Sequence, residues 1–260
     1  MGPGDADVTA QKLDNEEQYQ LLNGKTALVT GAGSGIGRAI ANALGAMGAT
    51  VIVAGRRQRP LDETAASVSS KGGRAIARVV DVTDDDSVAA LGQFVEDSCD
   101  GQLALLVHSA GVSALGPVEQ ATAQQFDAVF ATNIRAPFLI TRRLLPLLRR
   151  AAGDIVFVNS LASLNPRAEA GVYAASKAAL RAFADCLRAE INADGVRVLS
   201  VFPGRTASPM QAVIHAQEQR DYLPEQLLQP ETVASAVVGA VTMPRTAELT
   251  ELFVRPASKM

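Results

Sequence analysis

Two cysteines, Cys99 and Cys186, and two histidines are all that this sequence offers for disulfide or soft-metal chemistry. So small a set builds neither a disulfide framework nor a zinc cluster, and a reducing cytoplasm is the expected setting. Basic charge is also scarce: 24 Lys and Arg stand against 27 Asp and Glu, a formal net charge of -3, with no block of cations to follow a phosphate backbone. A nucleic-acid partner is therefore not expected. No apolar run reaches the roughly eighteen residues of a membrane span, and the polar, acidic start of the chain has no signal-peptide core. Neither export nor a membrane partner is expected. Repeats, low-complexity tracts and Pro/Ser-rich linkers are missing over 24–260. One domain over 24–260 is the economical reading, preceded by a flexible tail at 1–23 without apolar periodicity.

What is present is a large apolar fraction, 48% of 260 residues, enough for a core without covalent staples. Short buried-strand patterns recur at 25–30, 50–54, 74–80, 103–107, 154–158, 196–202 and 251–254, with helical stretches between them. That alternation predicts right-handed βαβ crossovers and an α/β fold, a doubly wound, Rossmann-type parallel sheet of about seven strands with helices on both faces. Helices are expected near 61–70 and 84–98. A longer amphipathic one is expected over 122–150, with Pro137 and Pro146 as its bends or breaks.

The first strand runs straight into Gly31-Ala32-Gly33-Ser34-Gly35-Ile36-Gly37 and then a helical run. Strand, glycine turn and helix in succession let the backbone approach a pyrophosphate, which the helix N-terminus then meets with its N–H groups. The spacing is G-x-x-x-G-x-G, and close packing alone is the competing explanation. The second strand ends in Gly55-Arg56-Arg57, where a carboxylate would otherwise bond a ribose hydroxyl. Arginine there points to a 2′-phosphate, unless the pair merely opens a solvated loop. Asp81, at the end of the third strand, could cap a helix or contact adenine. His108 ends the fourth strand and reads as a hydrogen-bonded structural residue, not a catalyst.

Tyr173 and Lys177 lie four residues apart and share one face of a helix. An ammonium beside a phenol lowers its ordinary pKa of about 10, which would make Tyr173 a general acid/base. The spacing alone also describes many surface pairs. Ser160 reads as a strand-end hydroxyl and Asn133 as a helix-bend residue until other motifs join them.

Together these pieces resemble the short-chain dehydrogenase/reductase family over nearly the whole chain after the tail. The resemblance rests on TGAGSGIG at 30–37, Asp81 and Val82, Asn133, Ser160, Tyr173 with Lys177, and Pro203 with Gly204, in that order. It implies a carbonyl or alcohol oxidoreductase with Asn133, Ser160, Tyr173 and Lys177 as its catalytic set. The implied dinucleotide site comprises Gly31, Ser34, Gly35, Ile36, Gly37, Arg56, Arg57, Asp81, Val82, Ala110, Gly111, Tyr173, Lys177, Pro203, Gly204 and Thr206. NADP(H) is the expected cofactor, with NAD(H) as the alternative, because Arg56 and Arg57 replace an acid while Ser34 supplies no second cation. The resemblance also implies a homo-oligomer, tetramer or dimer. His108 and Ser109 depart from the family's Asn-Asn at those positions, so the bonds that lock the fourth strand must be made differently.

The expected substrate is a small carbonyl compound or alcohol, held by Val112, Leu164 and the segment 204–228, where Met210, Val213, Ile214 and Tyr222 mix with Arg205 and Arg220. A 3-oxoacyl thioester is one candidate. A catalytically silent dinucleotide sensor would have lost Tyr173 or Lys177, and an isomerase or dehydratase would need a larger substrate domain.

Overall fold

Val, Ile, Leu and Ala fill the strands of this chain because a sheet covered by helices on both faces has no solvent side. The computed structural model describes residues 21–257 and contains seven strands: β1 (Thr26–Thr30), β2 (Thr50–Gly55), β3 (Arg74–Val79), β4 (Leu105–His108), β5 (Asp154–Val158), β6 (Arg197–Pro203) and β7 (Glu251–Val254). All neighbours pair in parallel, in the order β3-β2-β1-β4-β5-β6-β7. The chain therefore starts at the centre, builds outward to β3, returns to lay β4 beside β1, and builds the other way.

Among the described residues eight α-helices connect and cover the sheet: α1 (Gly35–Ala46), α2 (Gln58–Ser70), α3 (Asp85–Ser98), α4 (Ala123–Phe130), α5 (Ala136–Ala151), α6 (Gly171–Ile191), α7 (Pro209–Gln217) and α8 (Pro230–Val241). Alternation along each strand sends side chains to two separate cores. Leu28, Ile52 and Phe157 pack with Leu91, Leu144 and Leu187 of α3, α5 and α6. Val29, Val51 and Val53 pack with Ile40, Leu61 and Val237 of α1, α2 and α8. No helix among the described residues is long and apolar enough to cross a membrane.

The expected strands match these to within two residues at either end, and α2 begins at Gln58 because Pro60 sits in its first turn, where a missing N–H costs nothing. Most of the tail expected at 1–23 lies outside the described residues. Of its three described residues Leu22 is docked: the Leu22 N–H donates to the Met47 carbonyl at 3.0 Å, and Leu22 packs on the α1 side of the sheet.

The long helix expected over 122–150 is interrupted at the first of its two prolines and not at the second. A π-helical turn at Ala131–Arg135 separates α4 from α5. Pro137 has no N–H to give the carbonyl of Asn133, four residues back, so the regular ladder fails at Asn133 itself. Pro146 lies inside α5 without breaking it. Both Pro146 and Arg142, whose carbonyl loses its partner, are exposed, so water can take the orphaned oxygen.

Candidate active site

The C-terminal ends of the strands open on a cleft of about 660 Å³ beside the point where strand order reverses between β1 and β4. Its floor is the turn after β1. Gly31 has φ +68°, and a Cβ there would stand 2.7 Å from the Ala110 backbone; a Cβ on Gly37 would meet the Gly31 carbonyl oxygen at 2.5 Å. Ser34 is the N-cap of α1, yet its side chain makes no capping bond. The first-turn N–H groups are thus left without a side-chain partner, beside glycines where a Cβ would clash. A dinucleotide pyrophosphate fits such a cradle.

Arg56 and Arg57 line the cleft at the end of β2, exposed and in no ion pair among the described residues. Asp81 and Val82 line it at the end of β3. The Asp81 carboxylate accepts the Thr83 hydroxyl at 2.7 Å and the Thr83 N–H at 2.9 Å. These bonds, and then the charge of Arg56, hold its pKa below the ordinary value against partial burial.

His108 is buried, stacked on the Phe157 ring at 4.9 Å, with Nε2 2.9 Å from the Thr141 hydroxyl. Burial pushes its pKa down to about 3, so the ring is neutral at physiological pH and serves as packing. The turn beyond it is locked by Thr30, a residue whose role the sequence pattern did not disclose. The Thr30 hydroxyl donates to the Val107 carbonyl at 3.3 Å and accepts the N–H groups of Ser109 at 3.2 Å and Ala110 at 3.3 Å. This is how β4 is tied to β1 without the missing asparagines. Thr30→Val keeps the shape but orphans two N–H groups, so urea unfolding should show a loss of about 1–3 kcal/mol with an unchanged m-value.

Asn133 sits behind the cleft wall, buried at 1% exposure. Its Oδ1 accepts the Val112 N–H at 2.9 Å while Nδ2 donates to the Val112 carbonyl at 2.9 Å and to the Ser176 hydroxyl at 3.0 Å. The side chain is fully used as a clamp between the π turn, the loop after β4 and α6. Its backbone carbonyl is the group that Pro137 leaves over. Ser176, which also donates to the Tyr173 carbonyl at 2.7 Å, thereby links Asn133 to the first turn of α6, a connection that spacing alone did not single out.

Ser160, Tyr173 and Lys177 line the cleft together. Ser160 follows β5 and caps a short 3₁₀ turn, its Oγ accepting the Ala162 N–H at 3.1 Å. Tyr173 and Lys177 project from the first two turns of α6. The expected electrostatic coupling between them differs in detail. Lys177 Nζ donates to the Val158 carbonyl at 2.9 Å, and burial pushes its pKa down to about 8. Burial raises the Tyr173 phenol, and a hydrogen bond from Ser160, not the ammonium, works against that rise. Desolvation outweighs the charge effect that the i, i+4 spacing implied.

Every residue assigned above to the dinucleotide lines this cleft. At its other arm the expected substrate wall holds in part: Val112, Met210, Ile214 and Arg205 line it. Leu164 does not, because the 3₁₀ turn Leu161–Ser163 presents Leu161, Ala162 and then Asn165 instead. Val213 faces solvent at 57% exposure, and Tyr222 is spent on the Ser208 backbone, its hydroxyl 3.0 Å from that N–H.

The model of the short chain dehydrogenase family matches residues 25–219. The chain belongs to the short-chain dehydrogenase/reductase family. An uncharacterised oxidoreductase of Staphylococcus epidermidis is 33% identical over 235 residues, 89% of this chain and 97% of that one. A ketoacyl reductase of a Nostoc species is 36% identical over 223 residues, 85% of this chain and 76% of the relative. Among solved structures, a metagenomic short-chain oxidoreductase in complex with NADP superposes with a TM-score of 0.80 at 32% identity, covering 92% of this chain and 100% of that one. As a short-chain dehydrogenase/reductase the protein is a nicotinamide-dinucleotide-dependent oxidoreductase acting on a small-molecule substrate.

Proposed function

We propose that the cleft interconverts a carbonyl compound and a secondary alcohol with NADP(H), Tyr173 carrying the proton. The observation that supports this most is the meeting of Tyr173, Ser160 and Lys177 in one cleft whose other arm is a glycine-rich turn followed by Arg56, which is in no ion pair among the described residues. The dinucleotide, when bound, supplies or takes up the hydride. Gly31 and residues 34–37 would hold its pyrophosphate, Arg56 with Arg57 its 2′-phosphate, and Asp81 with Val82 its adenine. Ala110, Gly111, Pro203, Gly204 and Thr206 would flank its nicotinamide half.

The chain's own residues then divide the work. Tyr173 gives its proton to the carbonyl oxygen, and the Ser160 hydroxyl bonds the same oxygen and holds it against the phenol. Lys177, with a pKa lowered to about 8, stays mainly charged at neutral pH yet releases its proton more readily than an exposed lysine. It would also bind the nicotinamide ribose. The Asn133 carbonyl, freed by Pro137, would anchor a water that connects Lys177 to solvent.

Cofactor choice is tested by kcat/KM with NADPH and NADH on wild type and Arg56→Ala. A charged arginine–phosphate hydrogen bond contributes about 1.5–3 kcal/mol, so wild type should prefer NADPH by about ten- to a hundredfold and the variant should lose most of that preference. A wild-type preference for NADH, or a ratio unmoved by the substitution, would make Arg56 a solvated loop residue.

The Nostoc ketoacyl reductase supports a second reading, reduction of a 3-oxoacyl thioester; turnover of such thioesters no faster than simple ketones would remove it. We also infer a cytoplasmic homo-oligomer, tetramer or dimer, built from one catalytic domain over 24–260. Phe126 and Phe138 are exposed on α4 and α5, and light scattering showing a stable monomer would contradict the assembly.

A further inference from the structure

Two arginines that the reaction does not use line the same cleft: Arg167, from the loop between β5 and α6, and Arg205, which follows β6. Arg205 holds the Glu218 carboxylate with both terminal nitrogens, at 2.7 and 2.8 Å, and Arg167 bonds the same carboxylate. A third guanidinium, Arg220, stands 4.0 Å from it. Among the described residues no other acid is within ion-pair distance of these three, so one carboxylate faces three cations. The Arg205 bond first, and the Arg167 bond after it, hold Glu218 down to about 2 despite partial burial. The cluster therefore keeps its excess positive charge throughout the neutral range.

Two further facts give that charge a purpose. Among the described residues Asp81 is the only acidic side chain lining the cleft, and it lies at the end of β3, toward the opposite edge of the sheet from β6. The substrate arm thus has cations and no lining acid. Leu115, Leu161, Met210 and Ile214 supply apolar surface to the same cleft. Glu218, with its side chain only 14% exposed, fixes the guanidinium fork of Arg205 in place without neutralising the group. Arg167, 53% exposed, keeps most of its donors free. An arginine already held in position loses little freedom when an anion arrives.

We propose that the substrate carries an anionic group, a carboxylate or a phosphate ester, joined through an apolar stretch to the reacting carbonyl or carbinol and received by Arg167 and Arg205. The inference rests on the oxidoreductase reading of this cleft and names the substrate class for it.

The test compares matched pairs that differ in charge. Keto acids of increasing length, levulinate the shortest, are set against their ethyl esters, and dihydroxyacetone phosphate against dihydroxyacetone, with wild type, Arg167→Gln and Glu218→Gln. The readouts are kcat/KM with NADPH and calorimetric binding to the NADP⁺-saturated enzyme. Wild type should favour the charged member of at least one pair by about tenfold, and the better pair identifies the anion. Arg167→Gln should collapse that ratio. Glu218→Gln, which removes the one competing negative charge while its amide oxygen can still accept from Arg205, should raise it, an outcome that a poorly folded variant cannot imitate. Charged members that bind and react no better than neutral ones, or a ratio that neither variant moves, would overturn the proposal. Reduction of neutral ketones reports on the oxidoreductase reading separately: it can succeed while the anion preference fails, and its absence leaves the binding ratio to decide the anion.

Discussion

Tyr173→Phe is expected to bind NADPH with nearly wild-type affinity and to lose about 10²- to 10⁴-fold in kcat. The substitution removes one oxygen and leaves the ring, so the cleft wall keeps its shape. Ser160 still offers a hydrogen bond to the carbonyl oxygen, but serine at neutral pH does not replace the phenol as a proton source. Burial raises the Tyr173 pKa above its ordinary value, so the group is protonated across the neutral range. Reduction needs that protonated form: its rate should be flat at neutral pH and fall as pH rises through the raised pKa. Alcohol oxidation needs the phenolate and should rise over the same interval. Fluorescence titration with NADPH and a ketone assay on wild type and variant provide the comparison. A variant with near wild-type kcat would remove Tyr173 from the proton path.

Gly31→Ala is expected to cost about 2–5 kcal/mol of stability and to weaken dinucleotide binding by tenfold or more. Two separate penalties meet at this position. The backbone is in the left-handed region, at φ +68°, and the added methyl would lie 2.7 Å from the Ala110 Cα and nitrogen. Neither neighbour is a flexible side chain that could move aside. To make room, the turn after β4 must shift away from β1, which pulls on the Thr30 bonds and moves the opposite wall of the cradle. A loss of that size is large beside the 5–15 kcal/mol that holds a typical domain. Chemical unfolding and NADPH titration measure the two effects. A Gly31→Ala protein with unchanged stability and affinity would mean that the turn is not held by this close approach.

Much of this was legible because parallel sheets write themselves plainly. Strands such as 50–54 are continuous apolar runs, and glycine at 31, 35 and 37 has few purposes besides a turn or a close approach. The Tyr173 and Lys177 pair could be placed on one helix face from spacing alone. What spacing could not show is how each polar atom is satisfied. The lock on β4 comes from Thr30, whose hydroxyl direction depends on β1 and β4 being adjacent. The π turn around Asn133 shares its hydropathy pattern with an α-helix, and only the missing N–H of Pro137 distinguishes the two. The substrate wall was least legible, because a 3₁₀ turn at Leu161–Ser163 changes which side chains face the cleft without changing the composition of the loop. The net effect of burial on Tyr173 and Lys177 also needed the structure, since desolvation depends on everything packed around the pair.

A dinucleotide-dependent exchange between carbonyl and carbinol can be followed through the transferred hydrogen. The best-reduced carbonyl from the panel is incubated with wild-type enzyme and NADPH deuterated at the transferable position, and separately with unlabelled NADPH in heavy water. One deuteron is expected on the product carbinol carbon in the first experiment and none there in the second, where solvent label reaches only the hydroxyl through Tyr173. Product whose carbinol carbon takes its hydrogen from solvent, or product that forms while the label stays on the dinucleotide, would contradict it.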